Sequence, residues 1–196
     1  MKVLLAGPSP YSAKVLMAAA LAGIEVEPVQ VDANNGDPRL SQASPLERIP
    51  VLVLDDGTGI YDSRLITRHL DRLSAGRLVP ADDPLPAERL EAHCDGVQDS
   101  LLACVYERRF RPEEMHYQPW IDRHWGKATR GLDRLPDGLP PSGNDAHLGS
   151  IALACLIGYL DLRFAGEWEE GREALREWGE AFDANWPQLA KLKPGA

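Results

Sequence analysis

The sequence predicts an α+β domain with the element order β-α-β-α-β-β-α, followed by an all-helical domain. Three observations carry this. Over the first 80 residues, short apolar runs alternate with segments whose apolar residues recur at helical spacing. A stretch rich in Pro, Asp and Gly, from Gly76 to Pro86, then interrupts both patterns. Beyond it the spacing is helical nearly to the end. The chain has 196 residues, enough for two such units. The boundaries expected are 1–78 for the first domain, 79–86 for a linker and 87–196 for the helical domain.

The elements follow in order. Val3-Leu4-Leu5-Ala6 is an apolar strand stopped by Gly7-Pro8. A helical stretch runs from Ala13 to about Ala22, with Val15, Leu16 and Ala19 at helical spacing and Gly23 as its stop. Ile24 to Val31 alternates around Pro28, which marks an edge strand because proline has no N–H for a ladder. Asn34 to Pro38 is loop chemistry leading to a short helical turn near Leu40. Pro50 to Leu54 is a buried strand, Asp55 to Gly59 a hairpin turn, and Ile60-Tyr61 its partner. Asp62-Ser63 caps a helix carrying Leu65, Ile66, Leu70 and Leu73. In the second half, helices are expected over Ala87–Arg111, Glu113–Leu135, Gly149–Phe164 and Glu169–Ala184, with Pro136 to Asn144 a loop. The Gly149 helix is apolar on nearly every face, which marks the buried centre of its domain.

Charge excludes some partners. The net charge is −9. Residues 1–80 carry 8 Lys+Arg against 9 Asp+Glu; the remainder carries 13 against 21, a net of −8. An acidic chain repels phosphate backbones, which argues against nucleic acid. No apolar run is long enough to span a bilayer, and the start lacks the long apolar region of a secretory signal, which favours the cytoplasm. Cys94, Cys104 and Cys155 are sparse and odd in number, as expected of reduced, buried thiols. His93, His116, His124 and His147 have no metal-ligand spacing with them, so no metal is expected.

Three places carry chemistry. Ser9-Pro10-Tyr11-Ser12 opens the first helix directly after the first strand. The N–H groups of a helix start are unpaired, so a hydroxyl there sits where an anion is favoured. The spacing matches a thioredoxin-type Cys-Pro-Tyr-Cys site with both thiols replaced by hydroxyls, which argues against disulfide exchange. The competing reading is an ordinary Ser N-cap with proline at the first helical position. Arg48-Ile49-Pro50-Val51 puts a proline at the mouth of a buried strand, which suits a cis bond. Asp62-Ser63 offers a carboxylate and a hydroxyl at another helix start. In this element order all three lie at one end of the sheet, where open α/β sheets bind ligands.

These residues, with Ser44-Pro45-Leu46-Glu47-Arg48-Ile49-Pro50-Val51-Leu52, Tyr61-Asp62-Ser63 and the segments Leu148–Cys155 and Gly158–Arg163, resemble the glutathione S-transferase family over the whole chain. The resemblance implies a thioredoxin-like first domain, a helical second domain, glutathione as co-substrate and a homodimer. The dimer it implies joins the first domain of one chain to the helices over 87–135 of the other. It implies that Ser9 stabilises the glutathione thiolate and that Pro50 is cis. The main chain of Val51 would then meet the cysteinyl part, with Ile49 beside it. Ser63 would hold the γ-glutamyl carboxylate, Asp62 would lie near its amine, and Arg48 near the peptide backbone. The chain departs from the family where a Ser or Thr followed by Asp caps a helix of the second domain. Here those positions read His147 and Ser150, and His147 is a poor N-cap by type. No cysteine stands at position 9, which disfavours thioltransferase chemistry.

The resemblance implies an enzyme conjugating glutathione to an electrophilic small molecule. The alternative is a non-catalytic dimerisation or interaction module on the same fold. Retention of Ser9, Pro50 and Ser63 favours the enzyme. Tyr11 closes over a ligand or packs as an aromatic. Tyr106, Arg109, Tyr117, Trp120 and Trp125 lie in the two helices that bound the electrophile pocket in that family. Arg108, Arg109 and Arg111 form a basic cluster in an acidic domain, a solvated face or interface, with anionic-substrate binding as the other reading.

Overall fold

The computed structural model describes residues 1–143 and 145–195. Asn144, the last residue of the expected loop, and Ala196, at the end of the expected helical domain, lie outside the described residues. The first half contains β1 (Lys2–Leu5), α1 (Pro10–Ala22), β2 (Glu27–Gln30), α2 (Pro38–Ala43), β3 (Val51–Val53), β4 (Gly59–Ile60) and α3 (Ser63–Leu73). This is the thioredoxin-like order. The sheet runs β2-β1-β3-β4; β1 is parallel to β2 and antiparallel to β3, and β3 is antiparallel to β4. β2 is the edge strand that Pro28 predicts. Period-2 alternation sends Val3 and Leu5 to one core, while Leu4 packs with Val31, Leu40 and Val51 on the other face, beneath α2. Gly23 ends α1 at φ 69°, its N–H bonding the Ala19 and Ala20 carbonyls, a cap that favours glycine.

The second half contains α4 (Leu85–Phe110), a 3₁₀ turn (Glu113–Met115), α5 (Gln118–Leu132), α6 (Leu148–Phe164), α7 (Glu173–Asn185) and α8 (Pro187–Ala190). α6 is buried without interruption from Leu148 to Leu160 and packs on α4, α1 and α7. At Gly149 a Cβ would come within 2.8 Å of the Ala87 carbonyl oxygen, so the α4–α6 approach needs glycine there. None of the described helices is long and apolar enough to cross a membrane.

Several expected boundaries shift for local reasons. α1 begins at Pro10, not Ala13, because Ser9 is its N-cap. The helix expected over Glu113–Leu135 is a 3₁₀ turn and a separate α5, because Pro119 starts a first turn of its own. α7 begins at Glu173; the Glu169 carboxylate instead accepts from the Gly166 and Trp168 N–H groups and holds a turn. Leu85 and Pro86, expected in the linker, form the first turn of α4. The segment before them is pinned: the Leu78 and Val79 N–H groups donate to Asp71, and the Leu78 carbonyl accepts from Leu148 N–H.

His147 is the N-cap of α6. Its Nδ1 accepts from the N–H of Gly149 (3.1 Å) and Ser150 (3.4 Å), and Ser150 Oγ accepts from His147 N–H (2.9 Å). The pair is a capping box with imidazole in place of the usual oxygen. Nδ1 accepts only when the ring is neutral, and burial pushes the His147 pKa below its ordinary value of 6.5. The cap is therefore fully present above that value and is lost as pH falls through the lowered folded pKa. Between pH 7.5 and 5.5 the chain should lose up to about 1 kcal/mol more stability than His147→Asn, which caps without titrating. Urea unfolding at both pH values measures this; parallel losses in the two proteins would remove His147 from the account.

Candidate functional site

β1 delivers the chain to a tight turn, in which Ser9 N–H donates to the Ala6 carbonyl (3.0 Å). The C-terminal tail braces that turn, with Gly195 N–H on the Gly7 carbonyl (3.2 Å). Ser9 stands at the N-terminus of α1 in an extended conformation, and its Oγ accepts from Ser12 N–H at 3.2 Å. The cap is real, yet it uses only an acceptor lone pair. A hydroxyl also has one proton to donate, and among the described residues nothing receives it. Ser9 lines a cavity of about 840 Å³. The two readings of Ser9, helix cap and anion donor, are therefore compatible. Ser12 is buried and does not line the cavity.

Tyr11 has another role. Its hydroxyl donates to Asp99 at 2.5 Å, and burial first, then Asp99, push its pKa far up. Its proton is committed to that carboxylate.

Ile49–Pro50 is cis, and Tyr61–Asp62 is also cis. Arg48 and Ile49 line both the large cavity and a smaller one of about 230 Å³. Pro50, Asp62 and Ser63 line the smaller one, and Tyr11 is shared between the two. Val51 is fully buried, pairs with Leu4 in the β1–β3 ladder and lines neither cavity. Past the proline the chain has already entered the sheet, so Ile49, before it, is the residue at the cavity. Asp62 is the N-cap of α3, its carboxylate accepting from Arg64 N–H at 2.8 Å. Ser63 is 5% exposed, and its hydroxyl has no partner among the described residues.

Sequence reasoning missed the acidic wall. Asp95 and Asp99 on α4 line the smaller cavity beside Arg64. With Glu91 they recur every fourth residue on the inner face of α4, a stripe that could have been noticed. Behind them lies a buried ionic network. Lys14 Nζ, wholly buried on α1, bonds Glu91 (3.0 Å) and both oxygens of Asp95 (2.9 and 2.8 Å). From α3, Arg64 Nε reaches Asp95 (2.7 Å) and Arg68 reaches Glu91 (3.0 Å). α1, α3 and α4 are thus held together by charge next to the cavity.

Of the residues expected to bound a second pocket, Tyr106 and Arg109 line the large cavity, joined by Leu102, Tyr159 and Arg163. Tyr117 and Trp120 lie exposed elsewhere, and Trp125 stacks on Phe164 at 5.2 Å. Cys94, Cys104 and Cys155 are buried and unbridged. Among the described residues no three His, Cys, Asp or Glu side chains gather as a metal site would need. The arrangement is a hydroxyl donor on a helix end, a cis-proline edge and a mixed-charge recess: a place for a short, charged peptide with an anionic reacting atom.

The comparisons agree with this geometry. The family model described as glutathione S-transferase, N-terminal domain, matches residues 8–73; that described as glutathione S-transferase, C-terminal domain, matches 118–181. The chain is 31% identical over 170 residues to the uncharacterized GST-like protein YibF of Escherichia coli (strain K12), covering 83% of each. A glutathione S-transferase from Methylobacillus flagellatus KT, solved with glutathione bound, superposes at a TM-score of 0.87 with 34% identity over 99% of both chains. A glutathione transferase family member from Pseudomonas fluorescens Pf-5 superposes at 0.82 with 27% identity over 100% of both. That structure holds S-(propanoic acid)-glutathione.

Proposed function

The chain belongs to the glutathione S-transferase family, and on that premise we propose that it joins the glutathione thiolate to an electrophilic carbon of a small molecule. The observation that carries the reading is the free proton of Ser9 Oγ, held at a helix N-terminus on the wall of the large cavity. Ser9 donates that proton's hydrogen bond to the thiolate and keeps the proton. The end of α1 adds a favourable potential for the same charge. The main chain at Ile49, rather than Val51, meets the cysteinyl part, Ser63 the γ-glutamyl carboxylate, and Asp62, Asp95 and Asp99 surround its amine. Arg48 lies near the peptide backbone. The residues of the smaller cavity fit the co-substrate because they offer an unpartnered hydroxyl and carboxylates within one recess. The relatives solved with glutathione or a conjugate of it support the assignment. The reaction needs no metal, since the thiolate is the nucleophile and the protein supplies position and charge.

Calorimetry tests the binding half of this reading. The wild-type chain should bind glutathione at millimolar concentration or tighter. Ser63→Ala should weaken binding by about 1–3 kcal/mol, the cost of an unmade bond to a charged group. No heat at high glutathione would favour the interaction-module reading.

We also propose the domain division read from the sequence: residues 1–78 binding glutathione, 79–86 joining, and 87–196 facing the electrophile. The same reading places the protein in the cytoplasm, in detoxification, as a homodimer. Leu46 and Leu65 of the first domain and Leu85 at the start of α4 are at least half exposed, as an uncovered interface would be. Sedimentation should give twice the 21.6 kDa chain mass; a monomer at micromolar concentration would refute the dimer.

A further inference from the structure

We infer that the helical wall of the large cavity selects an electrophile that carries a carboxylate, held by Arg163 and Arg109 and flanked by Tyr106 and Tyr159. The inference rests on the glutathione-transfer reading above and names its acceptor class.

The helical half of this chain is acidic, and five of its ten arginines meet a carboxylate, Arg176 with Glu180 among them. Arg108 meets Glu167 (3.9 Å), Arg111 meets Glu107 (3.1 Å), Arg172 meets Asp133 (2.8 Å) and Arg89 meets Asp137 (3.0 Å). Arg109 and Arg163 have no carboxylate partner among the described residues, and both line the same cavity. Arg163 Nε is buried with nothing to bond. A buried donor left unmade is costly, so an acceptor from outside the chain is favoured there. Each arginine ends a helix, α4 and α6 respectively. The helix dipole accounts for a cation at each end, but not for two of them facing one chamber.

The rest of the wall fits. The Tyr159 phenol is 2% exposed and its hydroxyl has no partner among the described residues. Burial pushes its pKa up to about 12, against the pull of Arg163 and Arg109, so it stays a proton donor. Two acids also line the cavity, both from the first domain. Asp32 is already engaged by Asn34 and Asn35, and Glu47 lies in the loop before Arg48. The acids therefore lie on the first-domain side, where Arg48 stands beside Glu47, while the helical side presents two cations and no acid. Ser9 lines the same chamber. An aromatic ring fits against Tyr106 and Tyr159 while its carboxylate takes the guanidiniums.

The step balances without a further reactant. The thiol proton goes to solvent, sulfur forms a bond to the ring carbon, and a halide departs with the electron pair of the carbon–halogen bond.

The test compares 4-chloro-3-nitrobenzoate with the neutral 4-chloro-3-nitrobenzamide, each kcat/KM divided by the uncatalysed rate with glutathione. The carboxylate should be preferred about tenfold or more at low salt, and less as salt screens the charges. Arg163→Gln and Arg109→Gln should each cut that preference several-fold, Arg163→Lys should keep part of it, and Arg108→Gln should leave it unchanged. Calorimetry with the two preformed glutathione conjugates reads the same preference without turnover. Equal handling of both probes and both conjugates would overturn the inference and leave glutathione transfer standing. A rise in glutathione KM in Arg163→Gln with the preference intact would also overturn it, giving the arginine to glutathione instead. If neither glutathione nor either conjugate binds, the glutathione-transfer reading fails and this inference fails with it.

Discussion

Lys14→Met is expected to lower the unfolding free energy by about 3–5 kcal/mol. Lys14 is fully buried, and its ammonium makes three bonds to Glu91 and Asp95, both buried as well. Methionine fills most of the stem's space but leaves two carboxylates facing a neutral group. Arg68 and Arg64 still contact one oxygen of each acid, which places the loss at the lower end of the range. The network is not itself a large source of stability, because removing three charges from water offsets much of their attraction. The sharper test is the combination Lys14→Met with Glu91→Gln and Asp95→Asn. It should recover part of the loss, since no buried carboxylate is left unpaired, Arg68 keeps Glu88 (3.3 Å) and the half-exposed Arg64 can turn to water. Urea unfolding measures both proteins. A loss under about 1 kcal/mol for Lys14→Met would show that water or rearrangement satisfies the acids and that α1, α3 and α4 do not depend on the lysine.

Lys14 also marks how far the sequence could be read. The order of strands and helices was legible because each element repeats its own apolar period, as in Val3-Leu4-Leu5 or along Leu65, Ile66 and Leu70. Ser9 was legible because a hydroxyl before a proline is a helix start whatever else it does. The proline at the mouth of a buried strand marked the cis bond. Lys14 carried no signal in the sequence, because its partners lie 77 and 81 residues away and nothing local points to them. His147 read as a poor cap because propensity scales reward oxygen acceptors, whereas a neutral ring nitrogen does the same work. The cis bond was expected, but not that Val51 is fully buried opposite Leu4 at the start of β3. Arg109 could not be told from Arg108 and Arg111 until their acidic partners were located in space.

Ser9→Ala should have the largest effect on activity. A free thiol ionises near pKa 8.5, so only a few per cent is thiolate at neutral pH. A hydrogen bond to a charged group is worth about 1.5–3 kcal/mol, which corresponds to roughly one to two pKa units. On the proposed reading, Ser9 would therefore convert a minor thiolate population into a major one at pH 7. Without it the conjugation rate at pH 7 should fall about tenfold or more and should partly recover as pH rises. Glutathione affinity at low pH, where the thiol is neutral, should change little. The helix itself should lose about 1 kcal/mol from the missing cap, which a stability measurement separates from the chemistry. Tyr11 cannot substitute, since its proton is held by Asp99.

The most direct measurement is a thiolate absorbance titration of bound glutathione in wild type and Ser9→Ala. The thiol pKa should lie one to two units higher in the variant, with the pH–rate profile displaced by the same amount. Superimposable titrations would contradict the account: Ser9 would then be a helix cap alone, and the thiolate would have to be held by another group, such as a main-chain N–H at the start of α1.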